Sequence, residues 1–251
     1  MKSVHPKRSL LAAFILPAIA LTAATSRAAT YESGVLTNNQ PNATTWRTVN
    51  FVSPFSTAPV VVLGTKTYND AEAVTTRVRN VTTTSFQYQL HEWDYLDGVH
   101  GSESVHYLAL EPGTHTLGGV TWRAGRTTSV TNTEQTAAFG ITFGAAPVVL
   151  AQVESVVNAK ALITRVRNVT TTGFGLKLQA QEADTSTLSG ESVGWIAIAT
   201  GTGTLDGAAF KVAKTGASVT HAWSTLSFGA TYRQPLFFAQ ALTQNGGDPF
   251  T

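Results

Sequence analysis

The sequence predicts an all-β protein built of tandem antiparallel sandwiches of about six strands each, with a third copy incomplete. Three observations predict it. The chain is rich in Gly, Thr and Val and has few long segments of helical period, which favours many short strands. TRVRNVTTTSF at Thr76 to Phe86 recurs as TRVRNVTTTGF at Thr164 to Phe174, and 164 − 76 = 88. The same offset of 88 carries Phe51 to Phe139, Phe55 to Phe143, Pro59-Val60-Val61 to Pro147-Val148-Val149 and Glu103-Ser104-Val105 to Glu191-Ser192-Val193. A fixed period without gaps means one structural unit used repeatedly.

In chain order, Lys2, Lys7 and Arg8 precede an apolar run from Leu10 to about Leu21, and Ser26-Arg27-Ala28 offers a cleavage site. Residues 1–28 read as a secretory signal, too short to span a bilayer, with a secreted product, periplasmic or extracellular, after cleavage near Ala28. Strands are expected near Trp46 to Val52, Ala58 to Lys66, Ala73 to Asn80, Phe86 to Trp93, Ser102 to Glu111 and Leu117 to Ala124. Glu111-Pro112-Gly113 and Ala199-Thr200-Gly201 punctuate the chain, giving a first sandwich over 29–113, a second over 114–201 and a partial repeat over 202–251. The strand after each boundary is expected to open the next unit. The third copy begins with FGATYRQPLFFAQ from Phe228, which resembles FGITFGAAPVVLAQ from Phe139 with one residue deleted. Thr251 corresponds to Ile163 and Thr75, just where another TRVRNVT segment is due, so a truncated sequence or a half-repeat that pairs with a neighbouring chain is expected.

Composition narrows the function. The formal charge of +2 includes four basic residues of the leader; without them 17 − 4 = 13 basic residues stand against 15 acidic ones, a net −2. Nucleic-acid binding normally needs a basic face, so that partner class is disfavoured. There is no cysteine, so disulfide and thiolate chemistry are excluded. Beyond the leader no apolar run is long enough to span a membrane.

Strand alternation places Phe86, Tyr88 and Leu90 on one face and Gln87, Gln89, His91 and Trp93 on the other. The second copy keeps the first set apolar as Phe174, Leu176 and Leu178, but carries Gly175, Lys177, Gln179 and Gln181 opposite. Histidine and tryptophan are therefore not demanded by the fold there. Trp93 either stacks on a sugar, whose C–H face is apolar while its hydroxyls need polar partners, or packs under the Asp94 to Gly101 loop. Trp195 and Trp122 have aromatic counterparts in Tyr107 and Phe210 and are expected in the core. Arg77 and Arg79 recur as Arg165 and Arg167 and read as surface ion pairs or as sugar or anion contacts. Asn80 and Asn168, each opening NVTTT, suit turns that need unusual backbone angles.

The segment HEWDYLDGVHGSESVHYLALEPGTH, His91 to His115, holds four of six histidines. A metal would use His91, Asp94, Asp97 and His100, but the spacing is not distinctive and the second copy has no histidine there. Glu92 with Glu103 is the best carboxylate pair for glycoside hydrolysis, and nothing fixes its separation. No catalytic residue, metal or cofactor is expected.

YESGV, TWRTVNFVSPFSTAPVVVL, RVRNVTTTSFQYQLHEWD and SESVHYLALEPG follow in order the pattern of the H-type lectins, the family that includes snail agglutinins. A weaker likeness covers the second copy. The resemblance implies six-stranded antiparallel sandwiches that associate as trimers and bind N-acetylgalactosamine-type sugars near subunit interfaces. It places Trp93 in the sugar site, as the tryptophan ending the fourth strand. Asp94 stands where the snail proteins commonly have histidine, and Arg77 lies near the family's sugar-contacting arginine without matching it. The expectation is a secreted, non-catalytic carbohydrate-binding protein with Trp93, Asp94, His91 and Arg77 at its site. Its expected partners are glycans, and either further copies of the chain or its own neighbouring repeats. The alternatives are a structural or adhesive repeat protein without sugar binding, or the non-catalytic part of a secreted enzyme.

Overall fold

A computed structural model describes residues 28–181, 184–220, 222–223 and 225–246. The leader expected over 1–28 lies outside the described residues except for Ala28, as does Thr251. All the regular structure described is β.

The strands are β1 (Tyr31–Gln40), β2 (Arg47–Asn50), β3 (Val60–Lys66), β4 (Val74–Arg79), β5 (Ser85–Glu92), β6 (His100–Leu110), β7 (Gly113–Leu117) and β8 (Val120–Val130). They continue as β9 (Gln135–Ala138), β10 (Val148–Val153), β11 (Ile163–Arg167), β12 (Gly173–Gln179), β13 (Glu191–Ile198), β14 (Gly201–Leu205) and β15 (Ala208–Val212). Two departures from the expected strands have local causes. The strand expected over Leu117 to Ala124 is instead a hairpin, because Gly118 and Gly119 take φ of +57° and +79°, the pair of positive angles a two-residue turn requires. β1 was not expected, since its alternation of half-buried and exposed residues mixes Gly, Thr and Asn rather than a run of branched apolar side chains.

Sheet β1-β6-β3 faces sheet β2-β5-β4, and sheet β10-β13-β8-β7 faces sheet β11-β12-β9, every pairing antiparallel. Strand order and register repeat with the sequence period: Val60 pairs with Leu110 as Val148 pairs with Ile198. Phe86, Tyr88 and Leu90 are all buried, as the alternation required. Each sandwich is centred on an edge-to-face phenylalanine pair, Phe51 with Phe55 (4.8 Å) and Phe139 with Phe143 (5.2 Å), joined by Phe86 or Phe174 at 5.5 Å. Trp195 completes the second core and fits only because Gly125 stands opposite, where an added Cβ would meet the indole at 2.5 Å. At the ends of β4 and β11, Asn80 and Asn168 adopt φ of 50° and 52°, so both NVTTT segments turn through the left-handed region that Asn tolerates.

The outer faces of sheets β1-β6-β3 and β10-β13-β8-β7 are covered in part. Val60, Val62, Leu108 and Leu110 of the first sandwich and Trp122, Leu150, Ile196 and Ile198 of the second form one buried cluster, joined by Leu205, Phe210, Val212 and Phe238 of the segment that follows. Hydrogen bonds at the junctions repeat with the same offset of 88. Arg126 donates to the carbonyl of Ala58 (3.1 Å) as Lys214 donates to that of Ala146 (2.6 Å). Gln152 donates to the carbonyl of Thr76 (2.8 Å) as Gln240 donates to that of Thr164 (3.4 Å). The third segment also returns to the first sandwich, where the amide of Phe237 donates to Nδ1 of His106 at 2.9 Å. The three pieces therefore surround a common apolar centre, each touching both others.

Candidate functional site

The polar side of β5 is not open to solvent along its length. Gln89 is buried and donates to the carbonyl of Ala43 at 2.5 Å, and Trp93 is only 6% exposed, because the loops after β1 and β5 close over that side. The expectation of a solvent-facing polar side is corrected to this extent. What remains open is a cavity of about 250 Å³ at the first junction, lined by Ala43, Leu90, His91, Trp93, Asp94 and Leu96, with Ala159 of the second sandwich on its rim.

Trp93 forms apolar wall, and Asp94 is an exposed acceptor whose Oδ1 lies 3.4 Å from the amide of Ala161 across the junction. His91 has a buried Nδ1 with no hydrogen-bond partner. Its pKa is lowered to about 4, by burial first, then by the neighbouring Arg77 cation, against the opposing pull of Asp94. At neutral pH it is therefore an uncharged imidazole able to donate or accept at a cavity wall.

Arg77 differs from both expectations made for it. It is 0% exposed, neither a surface ion pair nor an open contact. Its guanidinium donates to the carbonyls of Lys160 (2.6 Å) and Ser155 (2.7 Å) and pairs with Glu191 at 3.1 Å, all in the second sandwich. Burial lowers its pKa against the support of Glu191. It is not part of the lining of this cavity, but its bonds to Ser155 and Lys160 clamp the segment that carries Ala159. Arg79 lies over the Trp46 ring at 4.0 Å and binds Gln87, a surface arrangement.

The carboxylates considered for catalysis have structural partners. Glu103 binds Thr67 and the amides of Asn69 and Asp70, and Glu191 binds Ser155 and the amides of Val157 and Asn158. Burial pushes both carboxyls upward, but these donors outweigh it and hold them below the ordinary range. Glu103 staples the loop after β3, and Glu191 the loop after β10. Glu92 is buried against Nδ1 of His100 at 2.9 Å, and it accepts from Gly98. His100, once considered with His91, Asp94 and Asp97 as a metal set, is thus committed to Glu92. The acids that do converge are Glu72, Glu92 and Asp97, with oxygens within 4.8 Å of one another. In the second sandwich their counterparts are Lys160, Ala180 and Thr185, and the Lys160 ammonium there ties the two loops by bonding Asp184 (2.5 Å) and Ser186 (2.6 Å).

A second cavity of about 350 Å³ occupies the equivalent place at the next junction, lined by Lys177, Gln179, Gln181, Asp184 and Ser186, with Gln244 of the third segment on its rim. Of the residues expected at the site, His91, Trp93 and Asp94 line the first cavity, at a junction between neighbouring repeats; the second cavity was not expected, although the 88-residue spacing carried its signal.

Residues 46–110 match the model of the H-type lectin domain, a stretch from β2 to the end of β6 that contains Trp93. Over 226 residues, 84% of its length, the chain is 31% identical to halomucin of Haloquadratum walsbyi, and it spans 2% of the length of that curated relative. No solved structure matches. No helix among the described residues is long and apolar enough to cross a membrane.

Proposed function

We propose that the chain is a secreted, non-catalytic carbohydrate-binding protein made of tandem H-type-lectin-like sandwiches, and that the sugar enters the cavity at the first junction. The observation that carries this reading is the cavity itself. Most of its lining belongs to the matched stretch, and an aromatic wall, an uncharged imidazole and an exposed carboxylate converge there, where the second copy carries Gln181, Gln179 and Glu182. Trp93 would meet the apolar face of a pyranose, while Asp94 and His91 would take its hydroxyls. Arg77 acts as a positioning residue, holding the 155–160 segment at the rim. An N-acetylgalactosamine-type sugar is the ligand the lectin match favours. Secretion rests on the basic, then apolar, N-terminal sequence.

A glycan array tests the site with the mature chain, Trp93→Ala and Asp94→Ala. Loss of the bound glycan class in both variants is expected, with Asp94→Ala keeping the thermal stability of the parent because that side chain is exposed. Unchanged glycan profiles in both variants would place the sugar elsewhere. The likeness to a small part of a far longer protein favours a second reading, a structural or adhesive repeat without sugar binding. An array with no bound glycan would favour it.

A further inference from the structure

The cavity at the second junction keeps the place of the first but not its chemistry. Among the described residues its lining holds no aromatic ring, and its one carboxylate, Asp184, is taken up by the Lys160 ammonium (2.5 Å) and the amide of Ser186 (2.9 Å). Further bonds fix the wall around it. The Asn132 side chain donates to the carbonyl of Ser186 (3.1 Å), Lys160 donates to the Ser186 hydroxyl (2.6 Å), and the amide of Asp184 donates to the carbonyl of Gln181 (3.0 Å). A wall fixed in advance loses little freedom when a ligand enters. Three side chains of the lining nevertheless remain unmet. Alternation along β12 turns Lys177 away from the core formed by Phe174, Leu176 and Leu178, and among the described residues its half-buried ammonium has no hydrogen-bond or ion-pair partner. Gln181 and Gln244 each carry a buried Oε1 without a partner, one in the second sandwich and one in the third segment. Such groups cost free energy until something meets them.

We propose that this cavity binds a hydroxylated carboxylate the size of one sugar ring, the chemistry of a uronic acid at the end of a glycan. Its volume of about 350 Å³ suits one such ring. Lys177 takes the carboxylate in a charge-assisted hydrogen bond. The Gln181 and Gln244 carboxamides take hydroxyls. A hydroxyl both donates and accepts, so it meets an amide in either orientation, and rotation about the last side-chain bond presents either end to the ligand. With no ring to stack on, selectivity comes from charge, and affinity falls as salt screens it. The first cavity selects against the same ligand, because the exposed Asp94 carboxylate stands in its lining. The two cavities thus share a place in the repeat and differ in the sign of the charge they present. This site goes beyond the reading of the first junction and does not rest on it.

Isothermal titration of the mature chain with sodium glucuronate, glucose and sodium acetate tests it, with the site located by hydrogen exchange read by mass spectrometry. Saturable binding of glucuronate is expected, weakening as sodium chloride is added, with protection gained over 177–181 and 184–188. Glucose lacks the carboxylate and acetate lacks the hydroxyls, so each should bind at least about tenfold more weakly. Lys177→Gln should lose about tenfold in glucuronate affinity, whereas Lys177→Arg, which keeps the charge, should stay within about threefold. Methyl glucuronide, blocked where a glycan linkage would be, should bind as glucuronate does; a clear preference for the free acid would assign the cavity to a free hydroxy acid. No saturable binding, equal binding of glucose or acetate, or an affinity for glucuronate unchanged in Lys177→Gln would each overturn the proposal. Protection confined to 90–98 would move the acid to the first cavity, which sinks this assignment and leaves the first-junction site standing.

Discussion

Arg77 shows how a side chain that alternation turns away from its own core becomes the interior of the molecule. Its ion pair with Glu191 is buried on both sides, so removing the cation strands a carboxylate that retains only neutral donors. Arg77→Met is expected to cost about 3 kcal/mol in urea unfolding, and Glu191→Gln added to it should recover part of that loss. A cost within about 0.5 kcal/mol would mean the pair is peripheral to the junction. His91 is held neutral by burial to well below the ordinary histidine range. Its folded pKa of about 4 lies below the unfolded value of 6.5, so the unfolded chain binds more protons between those limits. Stability from this residue should be fully present above pH 6.5 and fall as pH drops toward 4, by up to ~3 kcal/mol. His91→Gln should flatten that part of the pH profile, and an unchanged slope would contradict the buried neutral imidazole. Glycan binding through a neutral His91 should be level from pH 6 to pH 8.

Among the elements, the turns carry the most specific sequence information. Asn168 sits at φ 52° after β11, where a β-branched residue is strained. Asn168→Val is expected to lower stability by about 1–2 kcal/mol in thermal unfolding, whereas Asn168→Gly should stay within about 0.5 kcal/mol. Equal effects of the two would show that contacts of the Asn side chain, rather than the backbone angle, matter there. The Gly118-Gly119 and Asp206-Gly207 pairs, all at positive φ, turn the β7–β8 and β14–β15 hairpins. Dipeptides of this kind between apolar segments are the hairpin signal that could have split the expected strand over 117–124.

In the molecule as a whole, the apolar cluster around Trp122 belongs to no single sandwich. Trp122 is 6% exposed and packs on Phe210 of the third segment at 5.6 Å. Trp122→Ala should cost about 3–5 kcal/mol. Hydrogen exchange should then show protection falling together in β6 and β13, since both strands face that cluster. Loss confined to β13 would mean the sandwiches are energetically separate. The cavity at the first junction depends on the same packing, because Ala159 reaches it from a neighbouring unit.

The 88-residue period, the strand alternation of Phe86, Tyr88 and Leu90, and the two asparagine turns were legible in the chain because each follows from local geometry: period two along a strand, and a backbone angle few residues accept. Trp195 and Trp122 were legible as core for a related reason, an aromatic kept at the same place in a repeat. The burial of Arg77 and the covering of Gln89 were not. A strand has two faces, and sequence reports which is apolar. Whether the other meets water depends on what packs against it, and here that is another sandwich brought over by contacts far apart in the chain.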